Sequence, residues 1–230
     1  MRTIGLLGGM SWESTQSYYQ QLNQQISQQL GALHSAQIVM WSVDFQQIET
    51  LQRAGQWQVA GDILAKHAVA LENAGAECVV IATNTMHIVA DQVQREIKVP
   101  LLHIADATAN RLVENRFNRV GLLGTAFTME KPFYKARLQQ NFGIDVVVPD
   151  EAERQLVHDV IYQELCLGQI KPESKQAYLT VIEKLEQQGA QAIILGCTEI
   201  GLLVAQQDTR LPLIDTVSEH VKAAVEFALS

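Results

Sequence analysis

The feature that most constrains this chain is a repeat inside it. Ile4-Gly5-Leu6-Leu7-Gly8 matches Val120-Gly121-Leu122-Leu123-Gly124 at an offset of about 116 residues. Gly75-Ala76-Glu77-Cys78-Val79-Val80-Ile81 matches Gly189-Ala190-Gln191-Ala192-Ile193-Ile194-Leu195 at about 114. Val99-Pro100-Leu101-Leu102 matches Leu211-Pro212-Leu213-Ile214 at about 112. The three matches keep their order while the offset drifts slowly, which strand composition alone does not produce. The chain reads as two similar halves.

Each match is an apolar run of strand length that ends in a turn, and helical patterns fill the intervals. Strands are predicted over 4–7, 36–43, 78–82, 101–104, 120–123, 146–148, 192–195 and 212–215. Helices are predicted over about 12–30, 57–73, 86–97, 131–141, 151–167 and 173–188, from near Asp106, and at the C-terminus. The segment with Asp44, Gln46, Gln47 and Gln52 is read as a polar connection. Alternating β and α elements predict an α/β fold of two similar domains, each a mostly parallel sheet flanked by helices. The expected division is 1–105 plus 211–230 for the first domain and 106–210 for the second. If the halves face each other, corresponding strand ends meet across a cleft, which becomes the expected site.

Within the repeat, Gly189–Ile200 carries the most chemistry. The apolar run Ala192–Leu195 is followed at once by Gly196, Cys197, Thr198 and Glu199, as a buried parallel strand looks when it ends at a polar edge. Open α/β sheets bind ligands at that edge. A thiol, a hydroxyl and a carboxylate side by side form a candidate reaction centre, while a small buried hydrophobe is the competing reading of Cys197. The repeat pairs Cys197-Thr198-Glu199 with Thr83-Asn84-Thr85, and Gly8-Gly9-Met10 with Gly124-Thr125-Ala126.

Composition narrows the partners. The net charge is −8 over 230 residues, so no basic surface is expected for a phosphate backbone, and nucleic acid is excluded as an expected partner. No apolar run approaches the ~20 residues needed to cross a bilayer, and the N-terminal MRTIGLLGGMSW is read as a strand and turn rather than a leader. Three cysteines without metal-ligand spacing fit a reducing cytoplasm. The spacing Gly5-x-x-Gly8-Gly9 does not make a dinucleotide fingerprint, and no P-loop, HExxH or GxSxG is present.

The runs GLLGGMSWEST, NTMH (Asn84 to His87), GLLGT (Gly121 to Thr125) and GCTEIGLL (Gly196 to Leu203) resemble the aspartate/glutamate racemase superfamily, in its amino-acid racemase branch. The resemblance spans almost the whole chain. It implies two α/β domains related by a pseudo-twofold with the site between them, a homodimer, and catalysis without pyridoxal phosphate or metal. In that family two cysteines flank the substrate α-carbon, one removing a proton while the other returns one to the opposite face. The second maps onto Cys197. The first belongs directly before Asn-Thr, where this chain has Thr83.

That departure sets the expected chemistry. A thiol near pKa ~8.5 can be tuned to a usable thiolate, whereas a threonine hydroxyl cannot. By analogy with the family's glutamate racemases, Cys197 is expected to deprotonate an L-amino acid, with Thr83 or a water assisting reprotonation to the D form. Aspartate and glutamate are the expected substrates. The resemblance gives Asn84, Thr85, Thr198 and Thr125 as carboxylate-binding residues, against helix capping as the competing reading. Met10 is expected to line the pocket, Gln52 to contact substrate or remain a solvated helix residue, and Glu199 to bind the ammonium group or orient its neighbours. His87 is read as tuning the site or as a satisfied buried histidine. Cys78 is assigned to the core, Cys166 to a helix end, and Trp12, Trp41 and Trp57 to packing. A single thiol also leaves open a decarboxylase of a malonate-like acid, and a non-catalytic amino-acid or dicarboxylate sensor stands as the third reading.

Overall fold

Residues 1–230 are described by a computed structural model. In chain order the elements are β1 (Ile4–Gly8), α1 (Trp12–Leu30), β2 (Ile38–Ser42), α2 (Phe45–Arg53), α3 (Trp57–Asn73), β3 (Cys78–Ile81), α4 (Ala90–Glu96), β4 (Leu101–Leu102) and α5 (Ile104–Glu114). There follow β5 (Arg119–Leu123), α6 (Ala126–Glu130), α7 (Pro132–Phe142), β6 (Asp145–Val147), α8 (Glu151–Gln163), α9 (Pro172–Gln187), β7 (Ile193–Leu195), α10 (Ile200–Leu203), β8 (Leu213–Asp215) and α11 (Thr216–Leu229). A 3₁₀ turn, Thr85–Val89, leads into α4, and another, Leu165–Leu167, follows α8.

The strands form two four-stranded sheets, ordered β2-β1-β3-β4 and β6-β5-β7-β8. Every pairing is parallel. The repeat is preserved at the level of register: Leu7 pairs with Ile81 and Leu123 with Leu195, while Val80 pairs with Leu102 and Ile194 with Ile214. The expected fold class, an α/β chain of two parallel sheets flanked by helices, is the one found.

The chain divides into two units, residues 1–104 with 220–230, and residues 105–219. The sequence reading placed 211–230 with the first half. Strand β8 instead hydrogen-bonds to β7, so 211–219 pack with the second unit, and the boundary falls inside α11.

Each unit buries its own aliphatic core. Leu7, Ile81, Leu64 and Val93 are fully buried in the first, and Leu123, Ile193, Leu185, Val157 and Tyr178 in the second. Each such aliphatic side chain contributes about 1.5–3 kcal/mol relative to exposure. The repeated glycines Gly5 and Gly121 explain why helices come so near the strands. A Cβ on Gly5 would lie 3.4 Å from the Leu71 Cβ in α3 and 2.8 Å from the Ala76 Cβ in the turn after it, and one on Gly121 would lie 3.0 Å from the Leu185 Cδ1 in α9 and 2.6 Å from the Ile193 Cδ1 on the neighbouring strand.

Three differences from the predicted elements have local causes. The polar connection after β2 is helix α2, started by Asp44, whose side chain accepts from the Gln46 amide. Its face toward the core carries Phe45, Ile48 and Leu51 with the buried Gln52, an apolar stripe only nine residues long and interleaved with glutamines that read as a polar connection. Lys131 adopts an extended conformation ahead of Pro132 and separates α6 from α7, because α geometry before proline is sterically disfavoured. Helix α8 stops at Gln163, four residues before the expected end, and Gly168 closes the following turn at φ 71°. No helix is long and apolar enough to cross a membrane.

Candidate active site

In both sheets the strand order reverses between the first strand and the third, β1/β3 in one unit and β5/β7 in the other. Such a switch point opens a crevice at the carboxyl ends of the two central strands. Both candidate clusters lie at these ends. Gly8-Gly9-Met10 leaves β1 and Thr83-Asn84-Thr85 leaves β3, while Gly124-Thr125 leaves β5 and Cys197-Thr198-Glu199 follows β7.

The first unit brings Met10, Gln52 and the turn after β3 into one neighbourhood. Met10 belongs to the same buried cluster as Ile48 and Met86, and the Gln52 side-chain amide lies 3.0 Å from the Met86 sulfur. Gln52 is therefore buried rather than a solvated helix residue. Asn84 and Thr85 are buried and Thr83 is half-buried. The β1 turn is braced by Thr15, whose hydroxyl accepts from the Gly9 amide at 2.8 Å and donates to the Ser11 carbonyl at 2.8 Å.

The Thr83 backbone is held on several sides. Its amide donates to the Ile81 carbonyl, and the preceding Ala82 carbonyl accepts from the Ser14 hydroxyl at 3.1 Å. Its own carbonyl lies 2.8 Å from His87 Nδ1. His87 Nε2 receives the Ile104 amide at 3.2 Å. His87 is fully buried against the rings of His103 and His220, with centroids 4.6 and 5.5 Å away. Burial, with His103 and His220 adding to it, holds the His87 pKa well below the ordinary histidine value. His220 in turn meets the Tyr18 hydroxyl at 2.8 Å through Nδ1 and the Leu102 carbonyl at 2.7 Å through Nε2.

In the second unit the Cys197 thiol donates to Glu199 Oε2 at 2.9 Å, and both residues are half-buried, as is Thr198. Burial raises the thiol pKa well above its usual range, and the charge of Glu199 and its hydrogen bond raise it further. Cys197 packs on the buried cluster that includes Leu195, Ile200 and Tyr178, at the edge of the core rather than inside it. Thr125 caps α6 by accepting from the Thr128 amide and is buried. The Ala126 amide beside it donates to His158 Nδ1 at 3.2 Å.

The other cysteines and the tryptophans fall as follows. Cys78 lies fully buried in β3, where burial pushes its thiol up to about 12. Cys166 is exposed on the 3₁₀ turn after α8. Trp57 packs against the core of the first unit. Trp12 is 65% exposed, so the packing expected of it is absent; Trp41 is also exposed and stacks on His67 at 4.4 Å. No group of three or more histidine, cysteine or acidic side chains is arranged to hold a metal ion.

Four residues that the sequence reading passed over touch these turns: Ser14, Thr15, His158 and His220. Ser14 and Thr15 were visible only as residues near a helix start. His158 and His220 lie 32 residues or more from the segments they support, and no local pattern announces them.

A family model for Asp/Glu/Hydantoin racemase matches residues 7–224. A crystal structure of a protein from Yersinia pestis, described provisionally as an Asp/Glu racemase, is 52% identical, with 100% of each chain covered and a TM-score of 0.96. An aspartate racemase homologue from Pyrococcus horikoshii is 34% identical, with 100% of each chain covered and a TM-score of 0.87. The broad specificity amino-acid racemase RacX of Bacillus subtilis is 26% identical over 71% of this chain and 70% of its own length. The chain belongs to the Asp/Glu/Hydantoin racemase family.

Proposed function

We propose that the protein is a cofactor-independent amino-acid racemase that acts on L-aspartate or L-glutamate and runs faster from L to D than back. The observation that carries this reading is the Cys197–Glu199 pair at the end of β7. Its counterpart by sequence repeat, Thr83, lies in the turn that leaves β3.

A carboxylate against a thiol disfavours the thiolate, yet it also offers the thiol proton a place to go. In the proposed cycle the substrate ammonium group offsets the Glu199 charge, and Glu199 accepts the Cys197 proton. The thiolate then takes the α-proton of the L-amino acid. Amide and hydroxyl donors of Asn84, Thr85, Thr125 and Thr198 hold the carboxylates and spread the developing charge, with Met10 and Gln52 shaping the remaining wall. The opposite face of the α-carbon is protonated from the Thr83 hydroxyl, which recovers its proton from water. One proton enters through Thr83 and one leaves through Cys197 and Glu199, so the count balances.

The reverse direction needs a base on the Thr83 face, and a hydroxyl is a far weaker one than a thiol at neutral pH. The one-sidedness lies in kcat and is matched by an equal difference in KM, because an equilibrium constant of one between enantiomers requires equal kcat/KM in the two directions. The same reading includes a homodimer in the cytoplasm, and sedimentation tests the dimer.

Chiral chromatography of reactions begun separately from L- and D-aspartate and from L- and D-glutamate tests the proposal. Product of opposite hand is expected from the L enantiomers, with Cys197→Ala inactive. Binding of these acids without conversion would favour the sensor reading, and loss of carbon dioxide from a malonate-like acid would favour the decarboxylase.

A further inference from the structure

We infer that His87 is the positioning residue that aims Thr83, acting as a fixed hydrogen-bond donor to the Thr83 carbonyl. This rests on Thr83 returning the proton in the reading above, and it adds a residue to which that reading gives no part.

The tautomer follows from the partners. The Ile104 amide can only donate, so His87 Nε2 must accept, and the ring proton therefore sits on Nδ1, pointing at the Thr83 carbonyl. An imidazolium would set a second N–H against the Ile104 N–H. The rings facing His87 are His103 and His220, and the Tyr18 hydroxyl meets His220 on its Nδ1 side. His87 is thus a permanent neutral donor rather than a proton carrier.

What it fixes is a direction. The Thr83 carbonyl is set by His87, the peptide before it by Ser14 through the Ala82 carbonyl, and the Thr83 amide by Ile81. Together these fix the Cα–Cβ vector of Thr83, and so confine its hydroxyl to the few staggered χ1 positions about that vector. His87 can impose this because it is itself anchored at the start of α5 through the Ile104 amide and wedged between two rings. Positioning within about 0.5 Å is what a proton-transfer group requires. An apolar side chain of equal volume would fill the space and release the carbonyl.

The test uses two polar substitutions of similar size. In His87→Asn the side-chain amide nitrogen falls near the position of Nδ1, whereas in His87→Gln it falls near Nε2. With an L-substrate in heavy water, return of a proton by Cys197 gives deuterated L-amino acid, and return through Thr83 gives deuterated D-amino acid. The ratio of D-product to deuterated L-substrate is therefore read. His87→Asn is expected to keep that ratio within about three-fold of the unaltered protein, and His87→Gln to lower it at least ten-fold while deuterium entry into L persists. Equal ratios in the two folded variants, or a fall of both products together, would overturn the inference. If neither variant folds, ¹⁵N NMR of the unaltered protein decides: the Nδ1–H tautomer supports it, and an Nε2–H tautomer or an imidazolium overturns it. Absence of all α-exchange in the unaltered protein would instead strike the racemase reading beneath it.

Discussion

The Cys197 thiol donates a 2.9 Å hydrogen bond to the Glu199 carboxylate, two residues further along the turn that leaves β7. The pair holds the thiol protonated in the unliganded protein, since burial and the neighbouring charge both raise its pKa. The arrangement suits the proposed base, which would need to be ready only when substrate arrives.

Glu199→Gln removes the charge and keeps the shape. The Cys197 thiol pKa should then fall, because one of the causes that raises it has gone. Alkylation by iodoacetamide, followed against pH with Cys166 blocked or replaced, should show its midpoint moving to lower pH. Turnover should nonetheless drop about 10²-fold, the usual order for loss of a proton acceptor. A midpoint that stays put or moves upward would contradict the electrostatic role of Glu199.

Thr83→Cys puts a thiol at the position proposed to return the proton. The kcat from D-substrates should rise at least ten-fold, more than the kcat from L-substrates, because a thiolate is then available on that face, while kcat/KM stays equal for the two enantiomers. Chiral assays from each enantiomer measure it. A folded Thr83→Cys protein with unchanged D-side activity would remove Thr83 from the proton path.

The buried His87 gives stability a pH dependence of known sign. Its pKa is lowered in the folded state, chiefly by burial, and is about 6.5 when unfolded. As pH falls below that value the unfolded chain takes up a proton that the folded chain refuses. Stability is full above about pH 6.5 and declines toward acid, by up to about 1.4 kcal/mol per pH unit for this one group. Urea midpoints at pH 7 and pH 5 measure the loss, and His87→Asn should shrink the difference. A protein as stable at pH 5 as at pH 7 would contradict this account.

Gly121→Ala tests the close approach of α9 to β5. The added Cβ would sit 2.6 Å from Ile193 and 3.0 Å from Leu185, both in the core of the second unit. Overpacking of this kind costs about 1–3 kcal/mol. Chemical denaturation reads the change, and a neutral substitution would show the core yielding more easily than its packing implies.

How much of this was legible beforehand follows from the range of the interactions. Strand pairing repeats a pattern written in the chain, so matching Gly75–Ile81 with Gly189–Leu195 marked β3 and β7 as equivalent strands; which residues pair across the sheet, Leu7 with Ile81 and Leu123 with Leu195, came only from the structure. Helix α2 escaped because its apolar stripe, Phe45, Ile48 and Leu51, is short and interleaved with glutamines, one of which, Gln52, is itself buried. The Cys197–Glu199 bond depends on a tight turn whose conformation two-residue spacing does not specify. His87 was visible as the end of Asn84-Thr85-Met86-His87, but its second anchor, the Ile104 amide, lies 17 residues on. Tertiary hydrogen bonds of this sort leave no periodic trace.

The central claim is that Cys197 is the base for the α-proton of an L-amino acid. Proton NMR of L-aspartate and L-glutamate in heavy water, with the unaltered protein and with Cys197→Ala, tests it most directly. The account predicts loss of the α-proton signal and deuterated D-product with the unaltered protein, and neither with Cys197→Ala. α-Proton exchange persisting in a folded Cys197→Ala protein would contradict it.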